Sequence, residues 1–428
     1  MNGLLGWYRN GTSQERKTFW ACFSGWALDS YDIQMFAFLV PTLITVLHLT
    51  KADAGMLATG ALLSSAIGGW IAGILSDRFG RVRILIGTII WFTAFGVLAG
   101  FAQSYSQLLA LRTIQGIGFG GEWAVGAALM AEVIRPENRG KAMGLVQSGY
   151  SLGWALAATG TTLIVAALPA DLAWRVVFWS SILPAGLVLF IRRHIQEAPV
   201  FERARVAATG SEKASIYSAF RPEIIRSTIL SSIVVAGLQS SSYAFVSWVP
   251  TLLVQSRGLA PGSVIAATLL ISAGAFVGFV TTSYLSDLIG RRISLILLSV
   301  CAMVVTLLYT LVVTDAWVLL ALGFPIGFTV NGMFAAVGPL LSELFPTRYR
   351  ATCMGFSYNF GKAVGALVVT FVGAVAAHLS LGTAMGIFCF AGFAVAILAL
   401  LLIPETRGTD FEEEADRSSA PFSARQQH

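Results

Sequence analysis

Long apolar stretches recur along the whole chain and are separated by short polar segments. Each stretch is long enough to form a helix that crosses the roughly 30 Å hydrocarbon core of a bilayer. We predict twelve such helices, at residues 19–47, 53–75, 84–102, 107–131, 140–167, 172–191, 224–254, 261–284, 293–313, 316–343, 351–378 and 382–403. The predicted fold class is therefore an all-α polytopic membrane protein, in which several helices are long enough to tilt or to project beyond the bilayer.

The composition agrees with this fold class. Of the 428 residues, 56% are hydrophobic and only 12% are charged, and the mean hydropathy is +0.75. A soluble domain cannot bury so much apolar surface. The four cysteines have no Cys-x-x-Cys spacing, the four histidines are scattered, and no phosphate-binding loop follows a strand. We therefore expect no metal, no disulfide framework and no cofactor.

Most of the 28 Lys and Arg residues fall in every second connecting segment, with only Lys51, Arg175 and Arg257 in the others. Cytoplasmic loops of membrane proteins carry such an excess of positive charge. Both termini are therefore predicted to be cytoplasmic. This topology also explains the net charge of +6 without an acidic partner, and no nucleic acid is expected.

Two segments of the first half return in the second. Residues 73–81 resemble residues 283–291 at an offset of 210, and residues 131–144 resemble residues 342–355 at an offset of 211. Duplicated transporter halves place a shared cavity at their interface, near the middle of the membrane. We therefore predict two pseudo-symmetric six-helix bundles. The predicted boundaries are residues 1–191 for the first bundle, 192–223 for a cytoplasmic linker, 224–403 for the second bundle and 404–428 for a cytoplasmic tail.

The Gly-x-Leu-Ser-Asp-Arg-x-Gly-Arg segment at residues 73–81, with its degenerate copy, resembles the major facilitator superfamily. This resemblance implies a twelve-helix transporter that works by alternating access. It also implies charged residues that hold helix ends together in one conformation and release them in the other: Asp77, Arg81, Asp287, Arg291, Glu132, Arg139, Glu343 and Arg350. Ser283 replaces the first glycine in the second copy, so we expect looser helix packing there.

Three further segments, at residues 28–32, 112–123 and 192–201, together resemble bacterial proton-coupled symporters for aromatic acids and sialate. Ser30 replaces the glycine of the Asp-Gly-Phe-Asp motif of those groups. The glycine-rich run ending in Glu122 is closer to the sialate type. The resemblance implies a monomeric transporter of the bacterial inner membrane that imports a small organic anion, such as an aromatic or sialate-like monocarboxylate, together with protons.

Asp29 and Asp32 are three residues apart on the first predicted helix and therefore share a face. Counting about 1.5 Å per residue from residue 19, both lie deep in the hydrocarbon core. Two neighbouring carboxylates in a low dielectric cannot both stay ionised cheaply, so one of them is expected to exchange a proton. We interpret Asp32 as the proton carrier. A permanently paired structural role is the alternative for either acid, and Asp29 is our candidate for it.

The fourth predicted helix carries Arg112, Gln115 and Glu122 on one polar stripe, which must face a cavity or another helix. Arg112 is expected at the depth of Asp32, where the two could pair until protonation frees the guanidinium for a substrate carboxylate. Gln115 is a second candidate substrate contact. Glu122 is interpreted as a second proton site or as a member of a salt bridge. The glycines at positions 116, 118, 120 and 121 permit close helix packing.

Lys362 lies near the middle of the eleventh predicted helix, one turn after Tyr358 and close to Asn359. An ammonium group beside a phenol is suited to hold a substrate carboxylate. The alternative is a structural partner for one of the buried acids. Further candidate cavity residues, each of which could equally be a packing residue, are Gln147, Tyr150, Gln239, Tyr243 and Asn331.

Two other functions use the same residues. A proton-coupled exporter of drugs or metabolites would run the acids in reverse, and a nutrient sensor would bind ligand without flux. The sequence offers no nucleophile and base pair of the kind that catalysis needs, so we do not predict an enzyme.

Overall fold

The structure, a computed structural model, describes residues 6–134, 139–195, 221–345 and 350–406. Within these ranges the regular elements are helices, and no strand occurs. Ten of the described helical segments are long and apolar enough to cross a membrane. Two further long helices carry the buried charges of the predicted first and fourth spans. The predicted all-α polytopic class is thereby confirmed.

We number the twelve long helices of the described chain in order. They are α1 Ser13–Val46, α2 Lys51–Phe79, α3 Arg81–Ala99, α4 Tyr105–Val133, α5 Arg139–Ala167, α6 Ala170–Trp179 continued by Pro184–His194, α7 Ile225–Val246 continued by Val249–Thr251, α8 Pro261–Ile289, α9 Arg291–Leu307, α10 Ala316–Ile326 continued by Phe334–Leu344, α11 Arg350–Val375 and α12 Leu381–Leu402. A short helix, Gly6–Arg9, precedes α1. The predicted linker falls mostly outside the described residues, so the domain boundaries stay a prediction.

The sequence repeat reappears in the backbone between α2 and α3 and between α8 and α9. Gly80 and Gly290, which are 210 residues apart, have φ values of 105° and 103°. Each glycine ends one helix and begins the next. Residues with a Cβ rarely adopt a positive φ, so both turns require glycine.

The glycines of α4 pack closely against neighbouring helices, as predicted. A Cβ on Gly120 would lie 1.6 Å from the carbonyl oxygen of Ser65 on α2. In the second half, a Cβ on Gly327 would lie 1.8 Å from the carbonyl oxygen of Ile271 on α8. Small residues let the backbones of membrane helices approach closely. Close packing at a glycine therefore joins α2 to α4 in the first half and α8 to α10 in the second.

The first six and last six helices meet along two seams, α2 with α11 and α5 with α8. At the end predicted to face outward, the Thr59 hydroxyl donates to the carbonyl of Ala366 at 2.6 Å. Toward the other end, the Trp70 indole donates to the carbonyl of Gly355 at 3.4 Å. Contacts at both ends leave the centre of the interface enclosed.

Ser283 lies on the second seam. Its hydroxyl oxygen would be 2.8 Å from a Cβ on Gly144 of α5. Gly73, the residue at the equivalent place in the first half, would have nothing within 4 Å of a Cβ. The serine side chain therefore contacts α5, and looser packing along the whole seam stays a prediction.

Candidate functional site

Asp32 is completely buried and bonded within the first half of the molecule. Its Oδ2 accepts a hydrogen bond from Gln115 Nε2 at 2.6 Å, and its Oδ1 accepts one from the Ser181 hydroxyl. Ser181 is positioned by the 3₁₀ turn Ser180–Ile182 that interrupts α6. Burial disfavours the charge of a carboxylate, and hydrogen bonds to both of its oxygens act in the opposite direction and stabilise the ionised form.

Arg112 completes this group, but it reaches Asp32 through Gln115 and not directly. Arg112 Nη1 donates to Gln115 Oε1 at 2.7 Å, so the amide connects guanidinium and carboxylate. The Arg112 Cζ lies 4.6 Å from the ring centroid of Phe36, with Phe178 and Phe119 at 5.8 and 6.0 Å. Aromatic faces attract a cation, most strongly where it is desolvated. We call Asp32, Gln115, Arg112 and Ser181 the Asp32 network.

Arg112 also borders an internal cavity between the two halves. The cavity has a volume of about 30 Å³, the space of one water molecule, and is closed on the side of the second half by Trp248 and Val369. Gln34 lines it and donates from Nε2 to the Tyr150 hydroxyl at 2.8 Å. The Nε of Arg112 is buried without a hydrogen-bond partner among the described residues. One donor of the guanidinium therefore remains available at this cavity.

Asp29 lies one turn from Asp32 in a different environment. It is 1% exposed, and its Oδ1 has no hydrogen-bond partner among the described residues. Glu122 on α4 is also buried, with Oε2 unbonded, and its carboxylate packs against Gly25 of α1. The two carboxylates repel each other electrostatically. Two buried acids that each have an unbonded oxygen and that repel each other favour a state in which a proton is bound.

The cation that faces Asp29 comes from the other half of the molecule. Lys362 on α11 is half-buried and attracts Asp29 electrostatically, without an ion pair at 4.0 Å or less in the described chain. Tyr150, Tyr243 and Tyr358 interact electrostatically with one another, and Tyr150 and Tyr243 also interact with Asp29. The Tyr358 hydroxyl is hydrogen-bonded to the side chain of Gln239. We call Asp29, Lys362 and these three tyrosines the interface cluster.

Three predicted site residues are not drawn into this cluster by any contact described. Asn359 donates from Nδ2 to the carbonyl of Gly355 on its own helix, and its Oδ1 faces Gly69 of α2. Asn331 lies in the π-helical turn Gly327–Asn331 of α10, buried, with Nδ2 unbonded among the described residues. Gln147 lies one turn before Tyr150 on α5 and is half-buried. A substrate role for these three stays a prediction.

Four of the eight predicted gating residues have described side chains, and these are Arg81, Asp287, Arg291 and Glu343. Arg291 forms an ion pair with Glu343 at 3.0 Å and another with Asp287. In the first half, Arg81 donates to the Ser76 hydroxyl at 2.9 Å. The side chains of Asp77, Glu132, Arg139 and Arg350 lie outside the described residues. The predicted conformational role of the whole set stays a prediction.

Sequence reasoning missed several residues of the site. Ser181 could have been noticed as part of a Ser-Ser pair just before Pro184 in an apolar stretch. Gln34 follows Asp32 by two residues and is another amide in the same apolar helix. Glu405 caps the first turn of α9, where it accepts a hydrogen bond from the Arg291 backbone N–H at 2.8 Å. No pattern in the sequence predicts this contact.

Comparison with known proteins decides the family. A model described as the Major Facilitator Superfamily matches residues 22–283 and 278–426, nearly the whole chain. The chain belongs to the major facilitator superfamily. It is therefore a membrane transporter and not an enzyme, as the sequence predicted.

Two relatives and one solved structure indicate which transporters this chain is similar to. A probable 4-methylmuconolactone transporter of Cupriavidus pinatubonensis is 56% identical over 418 residues, which cover 97% of each chain. A cis,cis-muconate transport protein of Acinetobacter baylyi is 26% identical and covers 93% of this chain and 96% of its own. Both names agree with the predicted resemblance to organic-anion transporters.

The crystal structure of a D-xylose-proton symporter shares the fold. Its TM-score is 0.74 at 20% identity, with 92% of this chain and 99% of that chain covered. The predicted twelve-helix architecture of this superfamily is confirmed.

Proposed function

We propose that this transporter imports a small organic anion with one carboxylate together with protons, across a bacterial inner membrane and with both termini in the cytoplasm. The observation that carries the proposal is that the buried Asp29 of the first half and Lys362 of the second half attract each other across the interface without forming an ion pair. An unbonded acid and an ammonium group that face each other between two moving halves can exchange partners. A proton can bind to the carboxylate, and a substrate anion can bind to the ammonium group.

The first step is protonation of Asp29. Glu122 lies close enough to repel a charge on Asp29, and no hydrogen-bond donor stabilises that charge among the described residues. Once Asp29 is neutral, Lys362 has lost its counter-charge. A substrate carboxylate then restores neutrality at Lys362, since an ammonium group in a low dielectric needs a partner.

The three tyrosines of the interface cluster would complete the substrate site. Phenol hydroxyls can donate to the second carboxylate oxygen or to a carbonyl oxygen of the substrate. Tyr150 belongs to α5 and Tyr243 and Tyr358 to α7 and α11, so a substrate held by them would touch both halves. A ligand that binds both halves can stabilise their closure, as alternating access requires.

The Asp32 network is proposed as an anchor and not as the proton carrier. Its carboxylate, amide and guanidinium satisfy one another within the first half. This reverses the roles that we assigned from the sequence. Arg112, with its unbonded Nε at the internal cavity, is proposed as a secondary contact for the substrate.

The substrate class follows from the site and from the relatives. Lys362 is the one ammonium group in the interface cluster as the described residues define it, and a single ammonium group suits a monoanion better than a dianion. Muconolactones carry one carboxylate and one lactone carbonyl, which match one ammonium group and a set of phenol donors. We propose 4-methylmuconolactone as the first substrate to test, with aromatic monocarboxylates next.

The test is uptake by purified transporter in proteoliposomes with an imposed inward proton gradient. With an imposed gradient of about two pH units we expect labelled 4-methylmuconolactone to accumulate more than tenfold, because each proton that enters with a substrate contributes about 1.4 kcal/mol per pH unit. Collapse of the gradient with an uncoupler should abolish accumulation. Accumulation that survives the uncoupler would contradict proton coupling. Uptake driven only by an outward proton gradient would indicate exchange of substrate for protons, as in a proton-coupled exporter, and would overturn the symport proposed.

A further inference from the structure

A cleft on the outside of the first half has no part in the transport site. It lies between the beginning of α1 and the end of α6 and has a volume of about 450 Å³. Its lining residues on α1 run from Ser13 to Ser24, which is roughly 24 to 8 Å along the helix from Asp29. Its walls are lined by Tyr8, Arg16, Lys17, Trp20, Leu187 and Phe190, among others.

The cleft is formed by one face of each helix. Arg16 and Lys17 lie one turn before Trp20 on α1, so all three project to the same side. Leu187 and Phe190 are three residues apart on α6 and form the opposite wall. One wall therefore offers two cations, and the other offers apolar surface.

The two cations are available to a ligand. Arg16 and Lys17 are exposed and form no ion pair or hydrogen bond with another residue of the described chain. Glu15, the adjacent acid, is buried and accepts from the Thr12 backbone N–H at 2.6 Å in the capping box of α1. No acidic side chain lines the cleft among the described residues. Its charge is therefore positive and without compensation.

Trp20 indicates where the cleft lies relative to the bilayer. Its side chain is 47% exposed, and its indole N–H donates to the Tyr8 hydroxyl at 2.9 Å. Tryptophan and tyrosine are enriched where the hydrocarbon core meets the headgroups. Arg16 and Lys17 lie toward the end of the helix, on the headgroup side of Trp20, and the apolar residues of α6 continue toward the core.

We propose that this cleft binds an anionic phospholipid. The phosphate lies between Arg16 and Lys17, and an acyl chain lies along Leu187 and Phe190. Basic pockets between membrane helices bind acidic headgroups in this way, and Lys and Arg make charge-assisted hydrogen bonds to phosphate oxygens. The apolar wall distinguishes a lipid from a free anion, since inorganic phosphate has nothing to place against Leu187 and Phe190.

The test measures the thermal unfolding midpoint of the full-length transporter in detergent, with added phosphatidylglycerol, phosphatidylcholine or inorganic phosphate. We expect phosphatidylglycerol to raise the midpoint and the other two to have little effect. In the double variant Arg16→Gln, Lys17→Gln the rise should fall by at least half. The control Arg83→Gln, Arg226→Gln removes the same charge from exposed sites at the same end and should keep the full rise.

Two further variants separate the parts of the site. Arg16→Lys with Lys17→Arg keeps both charges and should keep most of the rise, whereas Phe190→Ser should reduce it by removing part of the acyl-chain wall. The proposal is overturned if the Gln double variant responds like the control, if phosphatidylcholine is equally effective, or if inorganic phosphate alone reproduces the rise. The last result would indicate a free-anion site.

Discussion

Asp29 and Asp32 lie one turn apart on α1, at nearly the same depth and with nearly the same burial, yet their surroundings differ. Asp32 accepts hydrogen bonds from Gln115 and Ser181 and lies close to the charge of Arg112. Asp29 has an unbonded oxygen, a second carboxylate beside it and its cation on the other half. Depth and burial therefore do not decide what a membrane carboxylate can do.

The difference lies in where the partners are attached. The partners of Asp32 belong to α4 and α6 of the same half and move with it. Lys362, the cation that faces Asp29, belongs to α11 and moves with the other half. A carboxylate with fixed donors keeps its charge, whereas one whose only cation moves away can exchange a proton at each cycle. The same substitution should therefore have different effects at Asp29 and at Asp32.

The largest expected effect is on transport by Asp29→Asn. The amide cannot carry a proton, so we expect uphill accumulation in proteoliposomes to be lost, from more than tenfold to equilibrium. Counterflow exchange of labelled for unlabelled substrate should continue, because binding and conformational change remain. A variant that still concentrates substrate would contradict the assignment of Asp29.

The second largest expected effect is a loss of stability in Asp32→Asn. Asparagine keeps the shape of the side chain but removes its charge, so the hydrogen bonds with Gln115 and Ser181 become weaker and the buried Arg112 loses its counter-charge. Arg112 and Asp32 are connected through Gln115 and not as a direct ion pair, and loss of a hydrogen bond to a charged group costs about 1.5–3 kcal/mol. We expect the free energy of unfolding to fall by about 3 kcal/mol, while Asp29→Asn at the same depth leaves it unchanged or higher. Equal losses in the two variants would remove the distinction between the acids.

Lys362→Gln should change substrate affinity more than stability. We expect the KM for the organic anion to rise about tenfold, equal to about 1.4 kcal/mol, since a neutral amide binds carboxylate more weakly than an ammonium group does. Lys51→Gln, a lysine at the beginning of α2, is the control and should leave KM unchanged. An unchanged KM in Lys362→Gln would remove this residue from the substrate site.

The smallest effect is expected for Ser181→Ala. It removes one hydrogen bond to the Asp32 carboxylate, worth about 1.5 kcal/mol for a charged acceptor. Ser151→Ala is the matched control, because Ser151 is equally buried and its hydroxyl has no partner among the described residues. Thermal unfolding should show a loss only in the first variant. Equal midpoints for the two would show that Ser181 does not stabilise Asp32.

Most of the fold could be predicted from the sequence, because hydrophobic length and charge bias act locally along the chain. The similarity of the two loops, at an offset of 210 residues, is visible in the sequence. The positive φ of Gly80 and Gly290 explains why both loops have glycine at this position. The close approach at Gly120 was likewise predictable from residue size.

The partners within the site could not be predicted in the same way. Asp29 and Asp32 have the same helical face and residue type, and only the placement of α4, α6 and α11 distinguishes them. Gln115 stands between Arg112 and Asp32 because of side-chain geometry that spacing does not show. Ser181 and Gln34 are ordinary polar residues until tertiary packing brings them to Asp32 and Tyr150.

The central claim is that Asp29, and not Asp32, exchanges the transported proton. It is tested most directly by measuring proton uptake when substrate binds to the purified transporter in weakly buffered detergent solution with a pH indicator. We predict uptake of about one proton per substrate in the unmodified protein and in folded Asp32→Asn, and none in Asp29→Asn. Proton uptake that persists in Asp29→Asn and disappears in Asp32→Asn would contradict the claim.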